Sequence, residues 1–333
     1  MPSQARRSFT TTAALIAAAA ATAPSANADG VPVSGVDARP VSTPGAEGRE
    51  YLTRRARPGT VLVEREAAGG RVLRRLRLPG NLSIPVVAYD RTSGGLSADG
   101  RTLVLIKPPR SFPQPETTLA VIDPGRMERR GTIRLEGHFS FDALSPDGRT
   151  MYLIEYLSEH DVRRYAVRAY DLRARRLIPG PIVDPREPGE RMNGLPMNRA
   201  TGAGGRWEYT LYDAPEHPFI HALDTEGRKA FCIDLDALAG RRNGMWGVKL
   251  EFDGPGTLRV VDDGKRLAGV DTRTLRVTTP TPPAPTAAAR PRRGGGDGPG
   301  WIWVAAPTAL LVAGSTVVLA RRRQRSAIRT AAP

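Results

Sequence analysis

The feature that most constrains this chain is an internal repeat of about fifty residues. Leu96-Ser97-Ala98-Asp99-Gly100-Arg101-Thr102 leads into the apolar run Leu103–Ile106. The same pattern returns 48 residues later as Leu144-Ser145-Pro146-Asp147-Gly148-Arg149-Thr150, followed by Met151–Ile154. Asp-Gly between two β-rich runs predicts a hairpin, because glycine accepts positive φ without steric cost. A second mark is a pair of small or apolar residues closed by aspartate, at Asp123, Asp171, Asp224 and Asp271, with spacings of 48, 53 and 47. Aspartate there can accept hydrogen bonds from the amides of the turn it opens, which explains its type without catalysis. Matching strands are expected at Thr60–Val63, Thr102–Ile106, Thr150–Ile154, Trp207–Tyr212 and Gly256–Val261. That makes four clear units and a degenerate first one near Gly59–Leu78.

Units of this length with three or four short strands cannot bury both faces alone, so they must stack. The Ser-Pro-Asp-Gly-Arg-Thr turn and the apolar-Asp turn resemble those of the WD40-like, TolB-like and YVTN β-propeller repeats, over roughly residues 55–278. The resemblance implies an all-β fold, a β-propeller of about five to six blades. The Gly-His and Trp-Asp marks of true WD40 repeats are absent. Ile178–Arg206 is rich in proline and glycine and is expected to interrupt the strands. A short helix is expected at Leu235–Ala239.

The two ends read as an export signal and a membrane anchor. Residues 1–28 have the anatomy of a signal peptide: Arg6 and Arg7, an alanine-rich apolar stretch, and the small-x-small site Ala26-Asn27-Ala28. Arg6-Arg7-Ser8-Phe9 resembles a twin-arginine signal, and both the twin-arginine and general secretory routes stay open. Residues 29–54 read as a loosely ordered lead, 55–277 as the ectodomain, and 278–300 as a Pro/Gly-rich stalk. Trp301–Ala320 is uncharged, and as a helix it would span about 30 Å, the thickness of the hydrocarbon core. Five arginines follow within 321–333, the positive-inside pattern of a cytoplasmic tail. The chain is therefore expected to be a single-pass protein of the cell membrane, with residues 301–320 in the bilayer, an extracytoplasmic N-terminal domain and a cytoplasmic C-terminus.

This topology changes the meaning of the net charge of +15. The signal and tail hold seven arginines and no acid, the stalk is net +2, and about +6 remains on the ectodomain. Nucleic acid is not an expected partner. The partners expected are the lipid bilayer and an extracytoplasmic ligand or protein.

No motif announces chemistry. A single cysteine excludes a disulfide framework and a multi-cysteine zinc site. Cys232 lies in an apolar strand and reads as a buried thiol. His138 and His160 have no companion pattern, and no Gly-x-Ser-x-Gly elbow is present. His217 and His221 flank Pro218 in a strand-like run, where four-residue spacing separates them by about 13 Å, too far for one ion. No catalytic, cofactor or metal residue is assigned and no cofactor is expected. The candidate surface is Asp213, Glu216, His217 and His221 beside the 178–206 stretch. The expected role is a binding module. The alternatives are a lactonase-like propeller hydrolase, implied by the resemblance, and an accessory subunit of a cell-envelope complex.

Overall fold

The computed structural model describes residues 38–42, 48–189, 192–214 and 216–280. The signal, nearly all of the stalk, the apolar segment 301–320 and the basic tail lie outside these residues. Among the described residues no helix is long and apolar enough to cross a membrane.

The described chain is all-β and forms five consecutive antiparallel sheets. The first holds β1 (Arg49–Arg55), β2 (Thr60–Glu66) and β3 (Val72–Leu78). The second holds β4 (Leu103–Ile106), β5 (Glu116–Asp123) and β6 (Glu128–Glu136). The third holds β7 (Phe139–Leu144), β8 (Thr150–Tyr156), β9 (Tyr165–Asp171) and β10 (Arg176–Ile182). The fourth holds β11 (Leu195–Thr201), β12 (Trp207–Asp213), β13 (Phe219–Asp224) and β14 (Lys229–Asp234). The fifth holds β15 (Lys249–Phe252), β16 (Thr257–Asp262), β17 (Lys265–Asp271) and the two-residue β18 (Val277–Thr278). Every sheet is a simple meander. In the first two sheets the inner strand is reduced to isolated bridges, Val41 to Tyr51 in the first and Ser83 to Ile106 and Leu96 to Leu103 in the second. Sheets of this blade-like kind are what the repeat predicts.

The repeat residues act as local hydrogen-bond partners. Ser97 and Ser145 each donate a hydroxyl to the aspartate two residues on, and each accepts the amide of Thr102 or Thr150. Gly100 and Gly148 take φ of 68° and 64°, the left-handed region that the turn needs. Oδ1 of Asp171 accepts the amides of Arg173 and Ala174, both at 2.8 Å, and Asp271 accepts those of Arg273 and Thr274 in the same way.

Strand alternation decides which junction each side chain fills. Leu103 and Leu105 pack toward the first sheet, whereas Val104 and Ile106 pack toward the third. Met151 and Leu153 face the second sheet, while Tyr152 and Ile154 face the fourth. Ile220 and Ala222 face the fifth sheet, and Phe219 and Leu223 face the third. Four buried clusters thus fill the four junctions between successive sheets.

The stack curves back on itself. The segment between β3 and β4 reaches the inner strand of the fourth sheet, where the Tyr89 amide donates to the Pro196 carbonyl at 2.8 Å. Asn198 donates to Asp90 at 2.7 Å and accepts the Leu250 amide of the fifth sheet.

Three sequence expectations are adjusted. The first sheet begins at Arg49, within the segment read as a lead, and β2 lies third from the inner edge rather than second. The 178–206 stretch contains most of β10 and the whole of β11. Register shifts at Leu177/Pro181 and Pro196/Asn198 absorb the prolines of these strands, as bulges do, and the described residues of the stretch outside strands are 183–189, 192–194 and 202–206. The short helix is a single 3-10 turn, Asp236–Leu238.

Candidate functional site

The four candidate side chains do not converge. Asp213 ends β12 and lies against Gly244, where a Cβ would sit 2.3 Å from the carboxylate. Glu216 is exposed. His217 is half-exposed, with its Nε2 3.1 Å from Oδ1 of Asp234. His221 turns inward from β13 toward the third sheet and is only 3% exposed.

His221 lines a cavity of about 370 Å³ between the third and fourth sheets. Its walls are largely apolar: Tyr165, Val167, Pro181, Ile182 and Met192, with Leu157 at the rim. Leu157 is 59% exposed, unusual for a large aliphatic residue. Three polar groups share the cavity: Asp184, His221 and Cys232. His221 and Cys232 are cross-strand partners in the β13–β14 register. The His221 ring meets Tyr212 edge-on at 6.2 Å, and among the described residues its nitrogens make no hydrogen bond. Burial pushes its pKa down to about 4; the nearby Arg199 charge adds to this, while Asp142 and Asp184 oppose it. The imidazole is therefore neutral at pH 7 and offers one donor and one acceptor.

Val183, Asp184, Pro188, Gly189 and Met192, from the described residues that follow β10, build one side of this cavity. Asp184 accepts the Cys232 amide at 2.9 Å, and Arg186 donates to the Cys232 carbonyl at 2.7 Å. Together they clamp the outer edge of the fourth sheet and cover an otherwise open strand. Burial raises the Asp184 pKa. Hydrogen bonds from the Arg186 side chain and from the amides of Arg186 and Cys232 outweigh that effect and hold it below the ordinary carboxylate value.

A second, smaller cavity of about 100 Å³ lies where the inner edges of four sheets meet. Ser42, Gly95, Phe141 and Arg199 line it, one from each of the first four sheets. Arg199 pairs with Asp142 there, and Arg199 Nε donates to Thr210 at 2.9 Å. Oδ2 of Asp142 is buried without a hydrogen-bond partner. Glu208, at the same cavity, accepts Thr201 Oγ1 at 2.8 Å. Burial pushes its pKa up to about 7, against the lowering effects of Arg199 and Thr201. Among the described residues no three His, Cys, Asp or Glu side chains are grouped as metal ligands.

Sequence reasoning pointed to His221 and to the 178–206 stretch, but not to Asp142, Arg199 or Glu208. Asp142 and Glu208 sit in strand-like runs, Arg199 lies inside the 178–206 stretch, and nothing local marks any of the three.

No protein-family profile and no curated protein matches the chain. Among solved structures it is similar to hydrazine synthase of Kuenenia stuttgartiensis, with 16% identity over 70% of this chain and 64% of that one and a TM-score of 0.42. It is similar to TolB of Acinetobacter baumannii, with 16% identity over 71% and 53% of the two chains and a TM-score of 0.36. It is also similar to the Cps50 (Swd1) β-propeller domain of Myceliophteria thermophila, with 10% identity over 72% of each chain and a TM-score of 0.39. The chain thus spans less than two thirds of the length of the first two. Similarity at this level concerns the arrangement of strands and not activity.

Proposed function

We propose that this chain is a binding module of the cell envelope: a five-bladed β-propeller, exported by residues 1–28 and held at the membrane by 301–320. Its ligand is a small, mainly apolar molecule carrying one hydroxyl or carbonyl group, taken up between the third and fourth sheets. The observation that carries this reading is His221, a neutral imidazole almost wholly buried, without a hydrogen-bond partner among the described residues, at the polar end of an apolar cavity. Mostly apolar walls with a few convergent polar groups are the usual make-up of a small-molecule site. The signal-like start, the uncharged span and the arginine-rich tail support the envelope placement.

Two measurements test it. Protease added to intact cells should digest the 38–280 region and spare the basic tail; full protection of that region would contradict the topology. A panel of phenol, 2-naphthol, acetophenone and decanol, read by ligand-observed NMR on the full-length chain in detergent, should give binders that Met192→Trp abolishes. Binders indifferent to Met192→Trp would place the site elsewhere.

A second reading, hydrolysis at the inner cavity, is favoured by Glu208 alone, whose carboxyl can exchange a proton near neutral pH. Turnover of a lactone or ester that Glu208→Gln removes would support it.

A further inference from the structure

We infer that the groove between the second and third sheets is a binding site for phosphate groups, independent of the apolar cavity. The repeat itself builds this groove. The Asp-Gly turns of the two sheets touch: the Asp99 amide donates to the Pro146 carbonyl at 3.0 Å, and a Cβ on Gly148 would meet Thr102 Oγ1 at 2.5 Å. This contact places Arg101 and Arg149, equivalent residues 48 apart in sequence, along one cavity of about 460 Å³. Arg130 of β6 and, from the turn that follows β9, Arg173 and Arg175 add to the same lining.

The acids here offset only part of the charge of these five arginines. Among the described residues the acids that line the groove are Asp99 and Asp147, each hydrogen-bonded within its own turn. Asp99 accepts Ser97 Oγ and the Arg101 amide, and Asp147 accepts Ser145 Oγ and the Arg149 amide. Arg130 is neutralised by Asp123, and Arg149 Nε lies 3.4 Å from Asp147. Arg175 donates to a backbone oxygen, that of Thr132, at 3.2 Å. Among the described residues Arg101 and Arg173 have no carboxylate within ion-pair distance. Five guanidinium groups against Asp99, Asp147 and Asp123 leave this concave surface net positive, which suits a multiply charged oxyanion that Arg101 and Arg173 can each hold through two N–H donors. Val121, Ile133 and Leu172 add apolar wall. A phosphate carried on an organic group therefore fits better than a bare polymer of charge. That phosphate can belong to a soluble molecule or to a lipid headgroup.

The test is calorimetric titration of the full-length chain in detergent with two probes, sodium tripolyphosphate and short-chain dioctanoyl phosphatidylglycerol. Arg101→Gln/Arg149→Gln/Arg173→Gln is compared with Arg54→Gln/Arg55→Gln/Arg77→Gln, which removes equal charge from exposed positions of the first sheet. At least one probe should bind. The groove variant should weaken that binding by about tenfold or more and the first-sheet variant by less than about twofold, with affinity falling as salt rises. Binding of tripolyphosphate alone supports a soluble source, and binding of the phospholipid alone supports a headgroup. No binding of either probe, or equal losses in the two variants, overturns the proposal. If the triple groove variant does not fold, Arg101→Gln and Arg173→Gln singly carry the same comparison.

Discussion

Arg199 of β11 and Asp142 of β7 form an ion pair across the inner strands of the third and fourth sheets, with side chains 5% and 3% exposed. Two charges have left water here, and the pair is only partly compensated, since Asp142 Oδ2 has no partner. Removing one member should cost far more than removing both. Arg199→Met should destabilise the fold by about 3–5 kcal/mol by stranding Asp142. Asp142→Leu/Arg199→Met should recover most of that loss. Urea denaturation of the two variants checks this, and a double variant no better than the single would refute it.

The two buried histidines predict acid lability. Burial holds both His138 and His221 at about 4. The unfolded chain protonates them near 6.5, the folded chain only near 4, so stability is lost as pH falls through that window. Each contributes a slope of about 1.4 kcal/mol per pH unit. His138 Nδ1 accepts the Gln114 amide at 3.1 Å, while Nε2 is buried without a partner. His138→Gln should flatten the stability profile between pH 6 and 4.5 by about one proton, and an unchanged slope would show that the ring is protonated in the folded state.

Glu208 works in the opposite direction. Its folded pKa is raised to about 7, so the folded state binds more protons than the unfolded one between about 4.5 and 7, and this group's contribution falls as pH rises. Glu208→Gln should leave stability near pH 4 unchanged and raise it at pH 8 by about 2 kcal/mol. Thermal melts at the two pH values measure the difference. A variant less stable than the parent at pH 8 would mean that the carboxylate is better solvated than its surroundings indicate.

Asp184 ties the 183–189 segment to β14. Asp184→Ala leaves the Cys232 amide without its acceptor and Arg186 without its counter-ion, at a cost of about 1–3 kcal/mol. Hydrogen exchange should quicken locally, at Cys232 and along β14, rather than across all five sheets. A uniform rise would show that the clamp supports the whole stack.

The parts of this fold legible in sequence are those set by local chemistry. Ser97, Asp99 and Gly100 must stand at fixed offsets for their turn to close, and the same offsets recur at Ser145, Asp147 and Gly148. The unbroken apolar runs Leu103–Ile106 and Met151–Ile154 likewise announce strands buried on both faces. The site was only half legible. His221 could be placed on a strand, but which junction it faces depends on the stacking order of the sheets. The Asp142–Arg199 pair joins residues 57 apart, Asp142 in a run that reads as ordinary strand and Arg199 in the Pro/Gly-rich stretch that reads as an interruption. The arginines of the turns read one at a time as solvated charge, and only the contact of two repeat turns gathers them into a groove.

The central claim is that His221 meets a ligand between the third and fourth sheets. The chain has four histidines, so a nitrogen-detected spectrum of histidine-labelled protein gives few ring signals to follow. Titration with a binder from the aromatic alcohol and ketone panel should move the His221 ring resonances, identified by their loss in His221→Phe, and leave those of the exposed His160 in place. Saturable binding with His221 unmoved would contradict the account.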